Sequence, residues 1–193
     1  NNSGIWQGGL RFEEAVSGDT EFQVGSAIIN KLNITLNNIS DQFSSYVFEG
    51  ANVVAYVGLE LGNGTTEMVR RGTYIVDSVT GQNASLIKLE CLDYMAKFDI
   101  PYSEVSTIYP ATLGKIVRDI CSYCSVSLLT SSFDGSSYVI RTRPNSDGLT
   151  CRQVLAYVAQ IACMFARMDE RGRLVTWCSP SSSLSWVSRV TSR

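Results

Sequence analysis

Few side chains of this chain are spaced to do chemistry together. Its only adjacent carboxylate pairs are Glu13-Glu14 and Asp169-Glu170. Neighbours on a strand or turn point to different sides, so neither pair converges on one substrate bond as acid–base catalysis of glycoside cleavage requires. Arg70-Arg71 has the charge to bind an anion, but a half-exposed strand usually carries such charges outward. We therefore assign no catalytic residue.

The chain contains no histidine and six cysteines. The absence of histidine excludes His-based triads, His-ligated metals and imidazole acid–base catalysis. Cys121-Ser122-Tyr123-Cys124 is a C-x-x-C motif, but it has no second C-x-x-C at zinc-ribbon spacing. Cys91 lies in an apolar alternation and Cys163 on a predicted helix, which favours reduced core thiols. We expect no metal and no cofactor.

Composition and charge indicate a folded protein, and the chain lacks the excess of basic residues that nucleic-acid binding needs. The chain has 193 residues, 45% of them hydrophobic, with 16 basic and 18 acidic residues and a net charge of −2. That length allows one good core or two small ones. No apolar run is long enough to span a membrane. The lack of an initiator Met and of a leader leads us to expect a segment cut from a longer polypeptide.

The clearest local pattern runs from Leu149 to Trp177. Thr150 and Gln153 form a predicted capping box, with Leu149 and Val154 as a hydrophobic staple. Apolar residues at helical spacing predict a nearly enclosed helix: Val154, Leu155, Val158, Ala159, Ile161, Ala162 and Phe165. Polar residues 169–172 then predict a hairpin between Met164–Met168 and Arg173–Trp177.

Residues 1–100 are predicted to form an antiparallel β-barrel. Period-two alternation indicates strands around Leu10 to Val16 and Leu32 to Leu36, over Val53–Leu61 and Glu67–Asp77, and from Ser85 to Leu92. Asp93 to Phe98 is predicted as a short helical cap. Five or more antiparallel strands imply a barrel or sandwich.

The rest of the chain is predicted as a small α+β domain at 112–178, after a Pro-containing linker at 101–111 and before a Ser-rich tail at 179–193. Thr112 is the predicted N-cap of a helix over Leu113–Cys124. Strands are predicted at Val126–Leu129 and Tyr138–Arg143. These elements predict two helices packed on one small sheet.

The strand Val53–Leu61 is apolar on both faces, which favours assembly. Alternation places one set of its side chains inside the barrel: Val53, Ala55, Val57 and Leu59. Val54 and Tyr56 then face outward and need a cover. We predict an assembly face of Val54, Tyr56, Arg70 and Arg71, covered by a neighbouring subunit. The alternative is that the second domain folds over the same strand.

Several long runs resemble phage and prophage tail proteins of Firmicutes and, more distantly, the baseplate hub family that includes late control protein D. The runs are FQVGSAIINKLNITLNN, FEGANVVAYVGLELGNGTTEMVRRGTYIVD, LDYMAKFDIPYS, YPATLGKIVRDICSYCSV and LTCRQVLAYVAQIACMFARMDERGRLV, within Leu10 to Val175. One departure is Cys163-Met164, where many members have a Gly before the hairpin, so the helix-to-strand turn can be built differently.

The resemblance implies a tail-tube-like β-barrel followed by a small α/β domain, in a trimeric ring that joins the tail tube to the tail tip. The expected location is the virion tail, after synthesis in the bacterial cytoplasm, and the expected partners are other tail or baseplate proteins. Two alternatives stay open. One is a tail-associated peptidoglycan-degrading enzyme. The other is a carbohydrate-binding module with aromatic platforms drawn from Tyr46, Phe48, Tyr102 and Tyr109.

Overall fold

A computed structural model of the protein describes residues 4–15, 24–81, 84–144 and 147–177, which have a mixed α+β fold. These residues divide into two compact units. The first comprises residues 4–15, 28–81, 84–99 and 168–173, and the second comprises 24–27, 100–144, 147–167 and 174–177. The domain boundaries proposed from the sequence stay a prediction. Val16 and the Ser-rich segment 179–193 lie outside the described residues.

The first unit contains a five-stranded antiparallel sheet. Its strands are β1 (Ile5–Glu13), β2 (Lys31–Asn37), β3 (Asn52–Glu60), β4 (Thr66–Thr80) and β5 (Leu86–Asp93), in the order β1-β2-β5-β4-β3. The strands predicted from alternation are confirmed within a few residues. One face carries the core: Leu32, Ile34, Ala55, Tyr74, Val76, Ile87, Leu89 and Cys91. The predicted cap after β5 is a 3-10 turn, Tyr94–Phe98.

The sheet is open, so the predicted closed β-barrel is wrong. Within the described strands, β1 is hydrogen-bonded only to β2 and β3 only to β4, whereas closure would need a ladder between β1 and β3. The sheet is instead a curled half-barrel. Its register shifts at two points of β4, leaving Arg71 unpaired against β3 and Asp77 unpaired against β5. Such bulges increase the local twist of a strand and bend it.

Two helices of equal length organise the second unit. Helix α1 (Leu113–Tyr123) begins after Thr112, whose hydroxyl accepts from the Lys115 N–H at 3.2 Å, which confirms the predicted N-cap. Helix α2 (Cys151–Ile161) begins with the predicted capping box. The Thr150 hydroxyl accepts from the Gln153 N–H at 3.2 Å, and the Gln153 side chain accepts from the Thr150 N–H at 2.9 Å.

The strands of the second unit are shorter than predicted and do not form one sheet. Strands β6 (Ala111–Thr112) and β7 (Val139–Ile140) form one two-stranded sheet. Strands β8 (Phe165–Met168) and β9 (Leu174–Trp177) form the other, which confirms the hairpin. The predicted strand over Val126–Leu129 is reduced to a bridge between Leu128 and Leu174. Ile161, predicted on the buried face, is exposed, because it is the last residue of α2 and lies at the edge of the buried stripe.

Asp169 shapes the turn of the β8–β9 hairpin. Its carboxylate accepts from the N–H groups of Arg171 at 3.0 Å and Arg173 at 2.7 Å, and it pairs with the Arg173 guanidinium at 2.6 Å. Burial of this carboxyl acts to raise its pKa, but these hydrogen bonds outweigh burial and lower the pKa of Asp169. Gly172 completes the turn with φ +74°. The carboxylate is thus engaged in holding the turn.

Candidate assembly face

The hairpin of β3 and β4 extends beyond the sheet as an arm, which we define as residues 56–70. In the arm, Tyr56 to Glu60 pair with Arg70 to Thr66. Strand β5 pairs with β4 only from Tyr74 onward, so the arm has no third strand within the described residues. A two-stranded ribbon is marginally stable in water, and an apolar one needs a cover.

A compact turn closes the arm. The Leu61 N–H donates to the Thr65 carbonyl at 2.8 Å. Asn63 Oδ1 accepts from the Thr65 N–H at 3.0 Å and from its hydroxyl at 2.7 Å. Gly64 takes φ +78°, a conformation that glycine adopts at little cost. The predicted turn at 62–65 is confirmed, so the tip is ordered by its own sequence.

The core face of the sheet continues onto the arm without cover. Ala55 is 7% exposed, but two residues further along the same face Val57 is 46% exposed and Leu59 is 64% exposed. Val69, which pairs with Val57, is 53% exposed. The prediction that Val57 and Leu59 fill the inside of a barrel is therefore wrong, because the sheet that would enclose them ends before the arm.

The opposite face of the hairpin carries three of the four predicted assembly residues. Val54 and Tyr56 are two apart on β3, and Arg70 pairs with Tyr56, so all three share this face. Val54 and Tyr56 are exposed. Met68, which pairs with Gly58, adds an exposed apolar side chain that the sequence reasoning missed.

The two arginines have different surroundings. Arg70 is half-buried, and its Nη2 donates to the Thr73 hydroxyl at 2.7 Å, which in turn donates to the Glu170 carbonyl at 2.9 Å. Arg71 is the bulged residue of β4, and its guanidinium lies 3.3 Å from Glu14 Oε1 and 5.9 Å from the centre of the Phe12 ring. The two side chains do not converge on one anion.

Gly72 lies next to the bulge at Arg71 and packs closely against Tyr74. A Cβ atom at Gly72 would lie 2.6 Å from the Tyr74 ring, closer than a side chain tolerates. Tyr74 is almost fully buried, and burial raises its pKa to about 12. The Tyr74 ring therefore covers the backbone of Gly72 where the core ends and the arm begins.

The predicted aromatic platform residues form two separate pairs. Tyr46 and Phe48 stack with ring centres 6.0 Å apart, and Tyr46 is exposed. Tyr102 is fully buried, with its hydroxyl 2.7 Å from that of Tyr109. Burial of Tyr109 and its hydrogen bond with Tyr102 raise the pKa of Tyr109. Tyr102 has no exposed face on which a sugar ring could stack.

The described part of the chain shows neither a metal-binding cluster nor a membrane-spanning helix. No cluster of three or more His, Cys, Asp or Glu side chains suited to a metal ion occurs among the described residues. None of the helices in the described part of the chain is long and apolar enough to cross a bilayer.

Comparison with known proteins gives a likeness of fold. No protein-family model matches the chain, and no curated protein matches it. The fold is similar to the crystal structure of the 43 kDa tail protein of prophage MuSo2 from Shewanella oneidensis, with a TM-score of 0.49 and 17% sequence identity. The likeness covers 79% of this chain and 47% of that one, so this chain spans about half the length of that protein. At such identity it concerns the fold alone.

Proposed function

We propose that the chain is a structural subunit of a phage or prophage tail, located at the tail tip or baseplate hub, where it joins the tail tube to the distal tail. It acts by assembly, as a trimer in the full-length protein, and not as an enzyme. The observation that carries this proposal is the arm, a two-stranded extension with exposed apolar side chains on both faces.

The arm supports assembly for an energetic reason. Leu59, Met68 and Val69 are each more than half exposed, although monomers seldom keep contiguous apolar patches. Full burial of a large apolar side chain contributes roughly 1.5–3 kcal/mol. A contact that buries several of them therefore strengthens association by orders of magnitude, since each 1.4 kcal/mol is about a factor of ten.

The sequence resemblance supports the tail location. The run that contains the arm, FEGANVVAYVGLELGNGTTEMVRRGTYIVD, is one of those that resemble tail and hub proteins. A non-enzymatic role is supported by two acidic side chains that already have partners within the fold. Glu14 pairs with Arg71, and Asp169 holds the β8–β9 turn.

Sedimentation velocity of the full chain across a wide concentration range tests this role. We expect concentration-dependent association that Tyr56→Asp and Leu59→Asp each weaken at least tenfold, while Tyr56→Asp changes the melting temperature little. Val47→Asp is the matched control, because Val47 is 84% exposed in the same unit but lies outside the arm. It should associate like the parent chain.

Two results would overturn the proposal. One is a strictly monomeric chain that also fails to bind tail-tube protein. The other is loss of soluble, folded protein on Tyr56→Asp, which would make that face intramolecular core. A zymogram that shows clearing of cell wall would favour the peptidoglycan-degrading alternative. Glycan-array binding that is lost on Tyr46→Ala would favour the carbohydrate-binding alternative.

A further inference from the structure

The turn of the arm contains the single Asn-Gly step of the chain, Asn63-Gly64. The side-chain carbonyl of an asparagine is open to attack by the backbone nitrogen of the next residue, because both groups belong to adjacent residues and close a small ring. A following glycine leaves that nitrogen accessible, since it has no Cβ atom to shield it. Both residues are exposed, and a Cβ atom at Gly64 would meet no other atom within 4 Å. Water therefore reaches this peptide bond.

The side-chain carbonyl of Asn63 is polarised by two donors from one residue. Its Oδ1 accepts from the Thr65 N–H at 3.0 Å and from the Thr65 hydroxyl at 2.7 Å. Attack on the carbonyl carbon pushes negative charge onto Oδ1, and donors aimed at a developing oxyanion stabilise the transition state. The amide nitrogen, Nδ2, makes no hydrogen bond to the described residues. The turn thus activates the carbonyl and leaves the departing group to solvent.

We propose that Asn63 is a self-modification site, at which the chain converts this asparagine into aspartate and isoaspartate through a succinimide. This inference is independent of the proposed role in a tail. One contact opposes the reaction, because the Gly64 N–H donates to the Leu61 carbonyl at 2.9 Å. That bond lies in an exposed turn at the end of a two-stranded ribbon, where hydrogen bonds open at low cost in free energy.

The reaction consumes one water and releases one ammonia. The Gly64 nitrogen loses its proton to hydroxide and bonds to Cγ of Asn63. The Cγ–Nδ2 bond then breaks, and the departing nitrogen takes a proton from water and leaves as ammonia. Water next adds to one of the two ring carbonyls. Opening at Cγ breaks the new bond and gives aspartate, whereas opening at the main-chain carbonyl breaks the original peptide bond and gives isoaspartate.

Each product changes the turn that closes the arm. Aspartate places a negative charge at the tip. Isoaspartate routes the backbone through the side chain and so lengthens it by one methylene between Asn63 and Gly64. The Leu61 N–H and the Thr65 carbonyl, now 2.8 Å apart, are then joined by a longer loop. We therefore expect the modified tip to lose its closing hydrogen bond.

The other described asparagines lack this arrangement, and none of them precedes a glycine. Asn33, Asn37 and Asn52 lie in strands, which hold the backbone extended. The amide nitrogens of Asn30 and Asn38 donate to other side chains of the first unit at 3.0 Å and 3.1 Å, which retains the departing group. We expect these five side chains to react much more slowly than Asn63.

Incubation of the folded full chain at mildly alkaline pH tests the site. Samples taken over time are digested with trypsin, and a digest at time zero records any change that arises during digestion. Asn63 falls in peptide 32–70. We expect this peptide to gain the mass difference between a hydroxyl and an amino group, placed at residue 63 by fragmentation, and isoaspartyl methyltransferase to label it. Asn63→Gln is the matched control and should stay unchanged, because its longer side chain closes a larger ring.

The contribution of the turn has its own readout. Thr65→Val removes the hydroxyl donor and keeps the shape of the side chain, whereas Thr65→Ser keeps the donor. We expect Thr65→Val to convert about fivefold to tenfold more slowly than Thr65→Ser, the effect of one neutral hydrogen bond. The two rates should converge in urea, where the turn is lost.

Two results would overturn the inference. The site is wrong if residue 63 stays unchanged in the folded wild-type chain, and that digest decides the point even if a variant fails to fold. Equal rates for Thr65→Val and Thr65→Ser in the folded chain would overturn the activation of the carbonyl by the turn.

Discussion

The guanidinium of Arg143 lies 4.6 Å from the centre of the buried Tyr102 ring. From that position its Nη2 donates to the carbonyl oxygens of Tyr102 at 2.6 Å and Val105 at 2.9 Å, and its Nη1 donates to that of Thr107 at 3.4 Å. One side chain therefore satisfies three carbonyls of a segment that has little regular secondary structure. Because charged hydrogen bonds are stronger than neutral ones, this contact holds the segment in place.

We expect Arg143→Lys to lower the free energy of unfolding by about 2–3 kcal/mol, because an ammonium cannot reproduce the planar fork of donors. Urea denaturation measures the change. Arg118→Lys is the matched control, since Arg118 is exposed and its hydrogen bond to Ser131 is 3.4 Å long. An equal loss in both variants would contradict a special role for Arg143.

Asp93 should make stability depend on pH in the opposite sense to a salt-bridged carboxylate. It is buried, and burial raises its pKa to about 6 despite hydrogen bonds from Asn30 and Met95. The folded state then binds the proton more tightly than the unfolded state. Its contribution to stability is present below the unfolded pKa near 4 and is lost as pH rises through about 6, by at most about 1.4 kcal/mol per pH unit.

Urea denaturation of the parent chain and Asp93→Asn between pH 4 and 7 isolates this effect. The difference between their free energies of unfolding should vary across that window and level off above it. Asp77→Asn, at an exposed aspartate of the same sheet, is the matched control. A difference that is independent of pH would show that Asp93 ionises as readily in the folded chain as in the unfolded one.

Cys163→Gly should stabilise the chain by about 0.5–1 kcal/mol. Cys163 follows the C-cap of α2 with φ +52°, and the Met164 N–H donates to the Ala159 carbonyl at 2.8 Å. A residue with a Cβ is strained in this left-handed conformation, whereas glycine is not. Thermal unfolding measures the gain. Cys163→Ala keeps the strain and is the control, so equal melting temperatures for the two variants would contradict the explanation.

Local signals in the sequence predicted much of the fold. Thr150 and Gln153 specify the start of α2 because both partners of the capping box lie within one turn. Alternation along β2 and β5 specifies which side chains are buried, and the turn residues specify the β3–β4 hairpin. Cys163, which the sequence comparison singled out, has a positive φ in the turn after α2.

Non-local pairing was the part that the sequence did not reveal. Whether β1 meets β3 depends on contacts between distant segments, so an open sheet and a barrel share one pattern of alternation. Alternation also assigns Val57 to a face without indicating where cover on that face ends. The predicted strand lengths did carry a usable signal. Both strands of the predicted hairpin are longer than β5, so β5 cannot pair along the whole hairpin.

The arm is about 17 Å long, at about 3.4 Å for each of its five residue pairs, and none of these pairs is joined to a third strand within the described residues. Amide protons there are protected by a single ladder that opens at low cost, so in a separate chain they should exchange with deuterium much faster than those of β5. Any partner that covers the arm has to slow that exchange. The rate at which the arm amides take up deuterium therefore shows, for each residue, whether a partner covers the arm. This measurement needs no substitution and does not require the partner to be known.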